Sequence, residues 1–198
     1  MLFRSALLVE KKPTEAMEKL TKANALDPRA AYVHNALGVA YEAINKEEKA
    51  LSAFKAAAAL APAWSLPHLH LAIQYQNRGQ LDQAEREFKI ASELDPREPF
   101  TRVTLARLLR TRGKSAEAER EITDVLRQTS NYAPAYVELG LIHESNREYA
   151  KAADAFGTYL RLAPNAQDTA TIQALFDKNR QLSVRRQPSL KSKTLEDK

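Results

Sequence analysis

One spacing runs through the whole chain. Alanine stands at Ala16, Ala50, Ala84, Ala118 and Ala152, each 34 residues after the last. Four residues later comes a large apolar column: Leu20, Phe54, Phe88, Ile122 and Phe156. A third column reads Phe3, Leu37, Leu71, Leu105 and Leu139, and the residue after it is small at Gly38, Ala72, Ala106 and Gly140, with Arg4 the exception. A fourth reads Leu7, Tyr41, Tyr75, Leu109 and His143. Proline closes the units at Pro28, Pro62, Pro96 and Pro164, with Ser130 in the remaining place. Composition alone does not put five columns of different size classes in phase, so the chain must be built from stacked copies of one small unit.

Each unit reads as two helices. From Ala31 to Ile44 the apolar residues Val33, Ala36, Leu37, Ala40, Tyr41 and Ile44 recur at helical intervals. "NKEE", "NRGQ", "TRGK" and "SNRE" interrupt the successive units, and Gly79 and Gly113 suit the left-handed turn that ends a helix. A second helix follows, as over Glu48 to Leu60. The small residue at the Gly38 column lets the second helix approach the first. The alanine at the Ala50 column does the same from the other side, and the Phe54 column fills the space between them. Each buried member of that column contributes about 1.5–3 kcal/mol. Proline then ends the second helix and aims the chain into the next unit.

The pattern resembles the tetratricopeptide repeat, W-x2-L-G-x2-Y, then A-x3-F, then P, over 34 residues. "HNALGVAY", "AYVELGLIH", "ALSAF", "AEREF" and "AADAF" carry it. The signature residues are Gly38, Ala50, Phe54, Pro62, Ala84, Phe88, Pro96, Gly140, Ala152, Phe156 and Pro164. His34, His68, Arg102 and Tyr136 stand at the Trp place. The unit at 99–132 is the least typical, with Leu109, Ile122 and Ser130 where Tyr, Phe and Pro are usual, so looser packing is expected there. The implied fold is all-α, a right-handed α-solenoid of helix-turn-helix repeats.

The phase gives a partial repeat over 1–30 and full repeats over 31–64, 65–98, 99–132 and 133–166. A capping helix over 167–182 follows, with Asp168 as its N-cap and Ile172, Leu175, Phe176, Asn179 and Leu182 on one face. A basic, aperiodic tail over 183–198 reads as disordered. The first repeat would open four residues before Met1, which suits either a worn first repeat or a piece of a longer array.

Composition narrows the chemistry. There is no cysteine, which removes disulfides, thiolate zinc sites and thiol catalysis. No apolar run approaches the roughly 20 residues that span a bilayer, and "MLFRSALLVEKKP" lacks the layout of a signal peptide. The expected compartment is the cytoplasm, with the periplasm as the alternative for a fragment. Of the net charge of +5, the tail supplies +3 (Arg185, Arg186, Lys191, Lys193 and Lys198 against Glu196 and Asp197), which leaves +2 elsewhere. That is too mild to argue for nucleic acid.

His68 and His70 point to opposite sides of one helix, His34 and His68 lack companion metal ligands, and His143 takes a packing position. No nucleophile elbow, Walker loop or dinucleotide fingerprint occurs. Glu47, Glu48, Asp82, Glu85, Glu87, Glu117 and Glu119 read as solvated faces. No catalytic residue, cofactor or metal is expected.

The resemblance implies that the first helices line a concave face that holds a peptide, through the second, fifth, ninth and twelfth places of each unit. These are Tyr32, Asn35, Val39, Glu42; Leu66, Leu69, Ile73, Gln76; Phe100, Val103, Arg107, Arg110; and Pro134, Val137, Leu141, Glu144. Peptide contacts are expected at Asn35, Val39, Leu69, Ile73, Val103, Arg107, Arg110, Val137 and Leu141. The carboxylate clamp of one family subtype would need Lys, Asn, Asn, Lys and Arg at Asn35, Val39, His70, Phe100 and Thr104, and none matches. The asparagine ladder of another is absent from Ala36, His70, Thr104 and Glu138.

The surface is instead aliphatic with a basic spot at Arg107 and Arg110. It suits an apolar partner segment, helical or extended, that carries acidic residues. Alternatively the aliphatics pack between helices and Glu138 or Glu144 neutralises the arginines. The expected function is a non-enzymatic interaction scaffold. Its alternatives are an assembly segment of a larger protein and nucleic-acid binding through the basic unit and tail.

Overall fold

A computed structural model describes residues 13–185. Phe3, Arg4, Leu7, the first helix of the opening repeat and the tail from residue 186 lie outside the described residues. The described residues form ten helices and no strand: α1 Pro13–Leu26, α2 Ala31–Ala43, α3 Glu47–Leu60, α4 Ser65–Asn77, α5 Leu81–Leu94, α6 Pro99–Thr111, α7 Ser115–Gln128, α8 Ala133–Ser145, α9 Tyr149–Leu162 and α10 Thr169–Arg185. They fall into two compact units that divide between Thr101 and Arg102. The first holds α1 to α5 and the opening turn of α6; the second holds the rest of α6 and α7 to α10.

Two kinds of turn alternate. After α2, α4, α6 and α8 the chain enters the left-handed region at Asn45 (φ 55°), Gly79 (71°), Gly113 (76°) and Arg147 (61°). The next amide reaches back to the carbonyl five residues earlier: Lys46 to Tyr41, Gln80 to Tyr75, Lys114 to Leu109 and Glu148 to His143, at 2.8–2.9 Å. This is the Schellman closure, which satisfies carbonyls that the helix end would otherwise strand. The sequence marks this column with glycine only twice; asparagine and arginine adopt the same conformation in the other units because the closure repeats. At the other turn the amides of Ala30, Trp64, Glu98, Tyr132 and Ala166 bond to the carbonyl three residues back, at 3.0–3.3 Å. Ser130 therefore sits in the same turn as the four prolines.

Within a pair, ring packs against backbone. Phe54, Phe88 and Phe156 are wholly buried, as are Ile122 and the alanines Ala50, Ala84, Ala118 and Ala152. A Cβ added to Gly38 would meet the Phe54 ring inside van der Waals distance, and one at Gly140 would meet Phe156 in the same way. Phe54 is further held by His70, whose ring stacks on it at 4.6 Å between centroids. The unit expected to pack loosely is filled: Leu105, Leu108, Leu109 and Val125 are each 3% exposed or less. It carries Leu108 where the preceding units carry Ala40 and Gln74, which offsets the smaller Ile122.

α10 packs Ile172, Leu175 and Phe176 onto a cluster with Ala152, Phe156 and Tyr159, and turns Thr171, Gln173, Asp177, Arg180 and Gln181 outward. Asp168 holds the N-cap place, its carbonyl accepting the Ile172 amide at 3.0 Å, but its side chain differs from the expected cap. The Asp168 carboxylate turns back to accept the Tyr159 hydroxyl. Its end differs too, since Ser183, Val184 and Arg185 continue the helix rather than opening the tail.

Gly38→Ala is expected to lower stability by about 1–3 kcal/mol, because the Phe54 ring is pinned by His70 and has nowhere to turn. Ala84→Leu should do the same at its own joint. Thermal or denaturant unfolding measures both, and an unchanged midpoint would contradict the packing described.

Candidate functional site

α2 and α4 in the first unit, and α6 and α8 in the second, carry the residues expected to face a ligand. In the first, Val39 on α2 and Leu69 and Ile73 on α4 are partly exposed. Tyr32 is 68% exposed, and Leu66 and Gln76 are intermediate. Asn35 is only 6% exposed, and its Oδ1 is buried without a hydrogen-bond partner. Gln74, also buried, donates to Glu42 and ties α4 to α2. Burial raises the Glu42 pKa while the Gln74 bond pulls it down. Arg78 reaches Glu48 at 2.7 Å.

In the second unit Val137 and Leu141 on α8 are partly exposed. Val103 is 3% exposed and packs inside, unlike the partly exposed Val137 at the equivalent place. The basic spot is not a free patch. Arg107 Nε lies 2.6 Å from one oxygen of Glu138, and Arg110 Nε lies 3.3 Å from the other. The Glu138 side chain is 2% exposed, Arg110 21% and Arg107 53%. Of the two acids placed to neutralise the arginines, Glu138 takes both. Glu144 instead accepts from Lys178 on α10 at 2.6 Å, which raises the Lys178 pKa.

Two further polar links were not legible beforehand. His68 Nδ1 meets Glu87 at 2.7 Å, and Arg102 meets Glu121 at 2.8 Å. Both pairs span 19 residues and occupy equivalent places, which is the signal that two columns of the repeat read together reveal. Glu87 is therefore a partner of a histidine, and Glu85 is 7% exposed and bonded to Lys89, so neither belongs to a simply solvated face. At the Trp place, His34, His68 and Tyr136 each reach the carbonyl six residues back, at Pro28, Pro62 and Ser130. The histidines are thus engaged with the turn, and His143 is 7% exposed and bonded to Glu148 at 2.7 Å. Among the described residues no group of three His, Asp or Glu is placed to hold a metal, and no helix is long and apolar enough to cross a membrane.

A family model for the tetratricopeptide repeat matches residues 6–63 and 103–167, more than half of the chain. The chain belongs to the tetratricopeptide repeat family. Among solved structures it is similar to YrrB, described as a TPR protein with an unusual peptide-binding site, at 19% identity and a TM-score of 0.70, with 85% of this chain and 87% of that one covered. It is similar to pilF of Pseudomonas aeruginosa at 22% identity and a TM-score of 0.71, covering 85% and 77%. A tetratricopeptide repeat protein from Parabacteroides merdae aligns at 14% identity and a TM-score of 0.74, covering 90% and 72%. No curated protein matches the sequence. At these identities the likeness concerns the fold, an α-solenoid of TPR helix pairs. Family membership also makes the chain an interaction module with protein or peptide partners.

Glu138→Ala leaves two guanidiniums facing a buried vacancy. The loss is expected to be about 1–3 kcal/mol, less than for a fully buried pair because Arg107 is half in solvent. Chemical denaturation of the variant measures it.

Burial, then the bond to Asp168, raises the Tyr159 pKa to about 12. A raised tyrosine pKa means that the protonated hydroxyl is favoured in the fold. Its contribution is complete below the ordinary tyrosine value near 10, and is lost as pH rises from there to about 12. Phenolate absorbance should show a late-ionising component that is lost in Tyr159→Phe.

Proposed function

We propose that this TPR protein is a non-enzymatic scaffold that holds a segment of a partner protein on the face formed by the first helices of its repeats. The observation that carries the reading is the contrast between columns. The joint residues Ala50, Phe54, Ala84 and Phe88 are wholly buried. Leu69 and Ile73, large aliphatics one turn apart on α4, remain only partly covered. Large side chains left partly in water on one helix face favour a partner that completes their burial. The described peptide-binding site of YrrB, a protein of the same fold, supports the reading.

Nucleic-acid binding through the basic helix is disfavoured. Of the arginines on α6, Arg102, Arg107 and Arg110 are each paired with a carboxylate, which reduces the charge offered to a phosphate backbone.

Leu69→Asp and Ile73→Asp should remove co-purifying partners from a tagged full chain while leaving the unfolding midpoint close to that of the parent. Retention of every partner by both folded variants would overturn the reading.

A further inference from the structure

Arg107 and Arg110 are arranged in a way the sequence does not show. Each uses its Nε on a different oxygen of one buried carboxylate, at 2.6 and 3.3 Å. Among the described residues, Glu138 is the one acid that pairs with either. A guanidinium has five N–H donors. Anchoring through Nε leaves the terminal Nη1 and Nη2 edge, which can take a carboxylate in a two-point fork. The Arg107 side chain is 53% exposed, so its edge is in reach of a ligand.

Two positive charges against one negative leave the cluster at +1, and the carboxylate that fixes the arginines is itself 2% exposed and out of a ligand's way. Val137 precedes Glu138 on α8, Leu141 lies one turn beyond it, and both are partly exposed.

We propose that Arg107 and Arg110, held by Glu138, form a built site for one side-chain carboxylate of a partner peptide, with apolar residues of that peptide beside it on Val137 and Leu141. The inference rests on the scaffold reading and names the chemistry of the partner at this place. Charge complementarity selects the occupant. One aspartate or glutamate neutralises the cluster, while a nucleic-acid backbone needs a track of cations rather than one net charge beside aliphatics. Because Glu138 already restrains both arginines, little side-chain entropy remains to be lost on binding.

The test is selection of a random peptide library, displayed without free C-termini, on the tagged full chain. Peptides rich in apolar residues around an Asp or Glu are expected. For a selected peptide, Glu→Gln should weaken binding by about tenfold or more. Arg107→Gln should abolish the preference for Glu over Gln while apolar binding persists at a temperature where circular dichroism shows the variant folded, its midpoint lowered by the loss of one partner of Glu138, and Arg107→Lys should keep part of it. Selected peptides with no acidic residue, or a Glu preference untouched by Arg107→Gln, would overturn this site and leave the scaffold reading standing. Enrichment that appears only in a library with free C-termini, or binding of a single-stranded oligonucleotide in place of peptide, also overturns it. If no peptide is enriched by either library, the scaffold reading fails with it.

Discussion

The closeness of a phenyl ring to a backbone without a side chain sets the dimensions of this protein. Phe54 occupies the space where a Gly38 Cβ would be, and Phe156 does the same at Gly140. That contact fixes how near the two helices of a pair lie. The Schellman closure repeats with the same bonds in each unit, and in these two pairs the residue at positive φ is Asn45 or Arg147 rather than glycine. An arginine in the left-handed region costs of order 1–2 kcal/mol. It is tolerated because the helices on both sides are already positioned by buried area worth more than that.

Once the joints are closed, the first helices have a face left over, and the charges on it are organised within the fold. Glu42 accepts from Gln74, Glu138 holds Arg107 and Arg110, and Glu144 accepts from Lys178. Each link joins residues about one repeat apart, so these bonds tie successive repeats together beside the apolar contacts that do the same. On α6, a helix with three arginines and no acid, Arg107 and Arg110 thereby become part of a restrained cluster of small net charge. Burying Glu138 is tolerable only because two guanidiniums satisfy its two oxygens.

The described residues end in a helix that follows the same logic with one face changed. α10 places Ile172, Leu175 and Phe176 on the last joint, as the first helix of another repeat would, but exposes polar residues on its outer side. Tyr159 holds its start through Asp168.

The repeat, its turns and its buried columns were legible because they recur: a residue type that returns every 34 positions reports a packing requirement, whatever stands between. The face of the first helices was legible only in part. Val39, Leu69, Ile73, Val137 and Leu141 retain exposed surface, but Asn35 and Val103 from the same stripe are buried. Helical spacing gives the direction of a side chain and not what the neighbouring helix covers. The ion pairs depended on which helices lie side by side, so Glu138 and Glu144 were equal candidates until α6, α8 and α10 were in place. The sequence by itself determined the period, the helix pairs and the buried ring against the small residue, since these are local spacing and size. Only the tertiary structure decided which charges are paired and which aliphatics meet water, since both depend on distances between helices that sequence spacing does not contain.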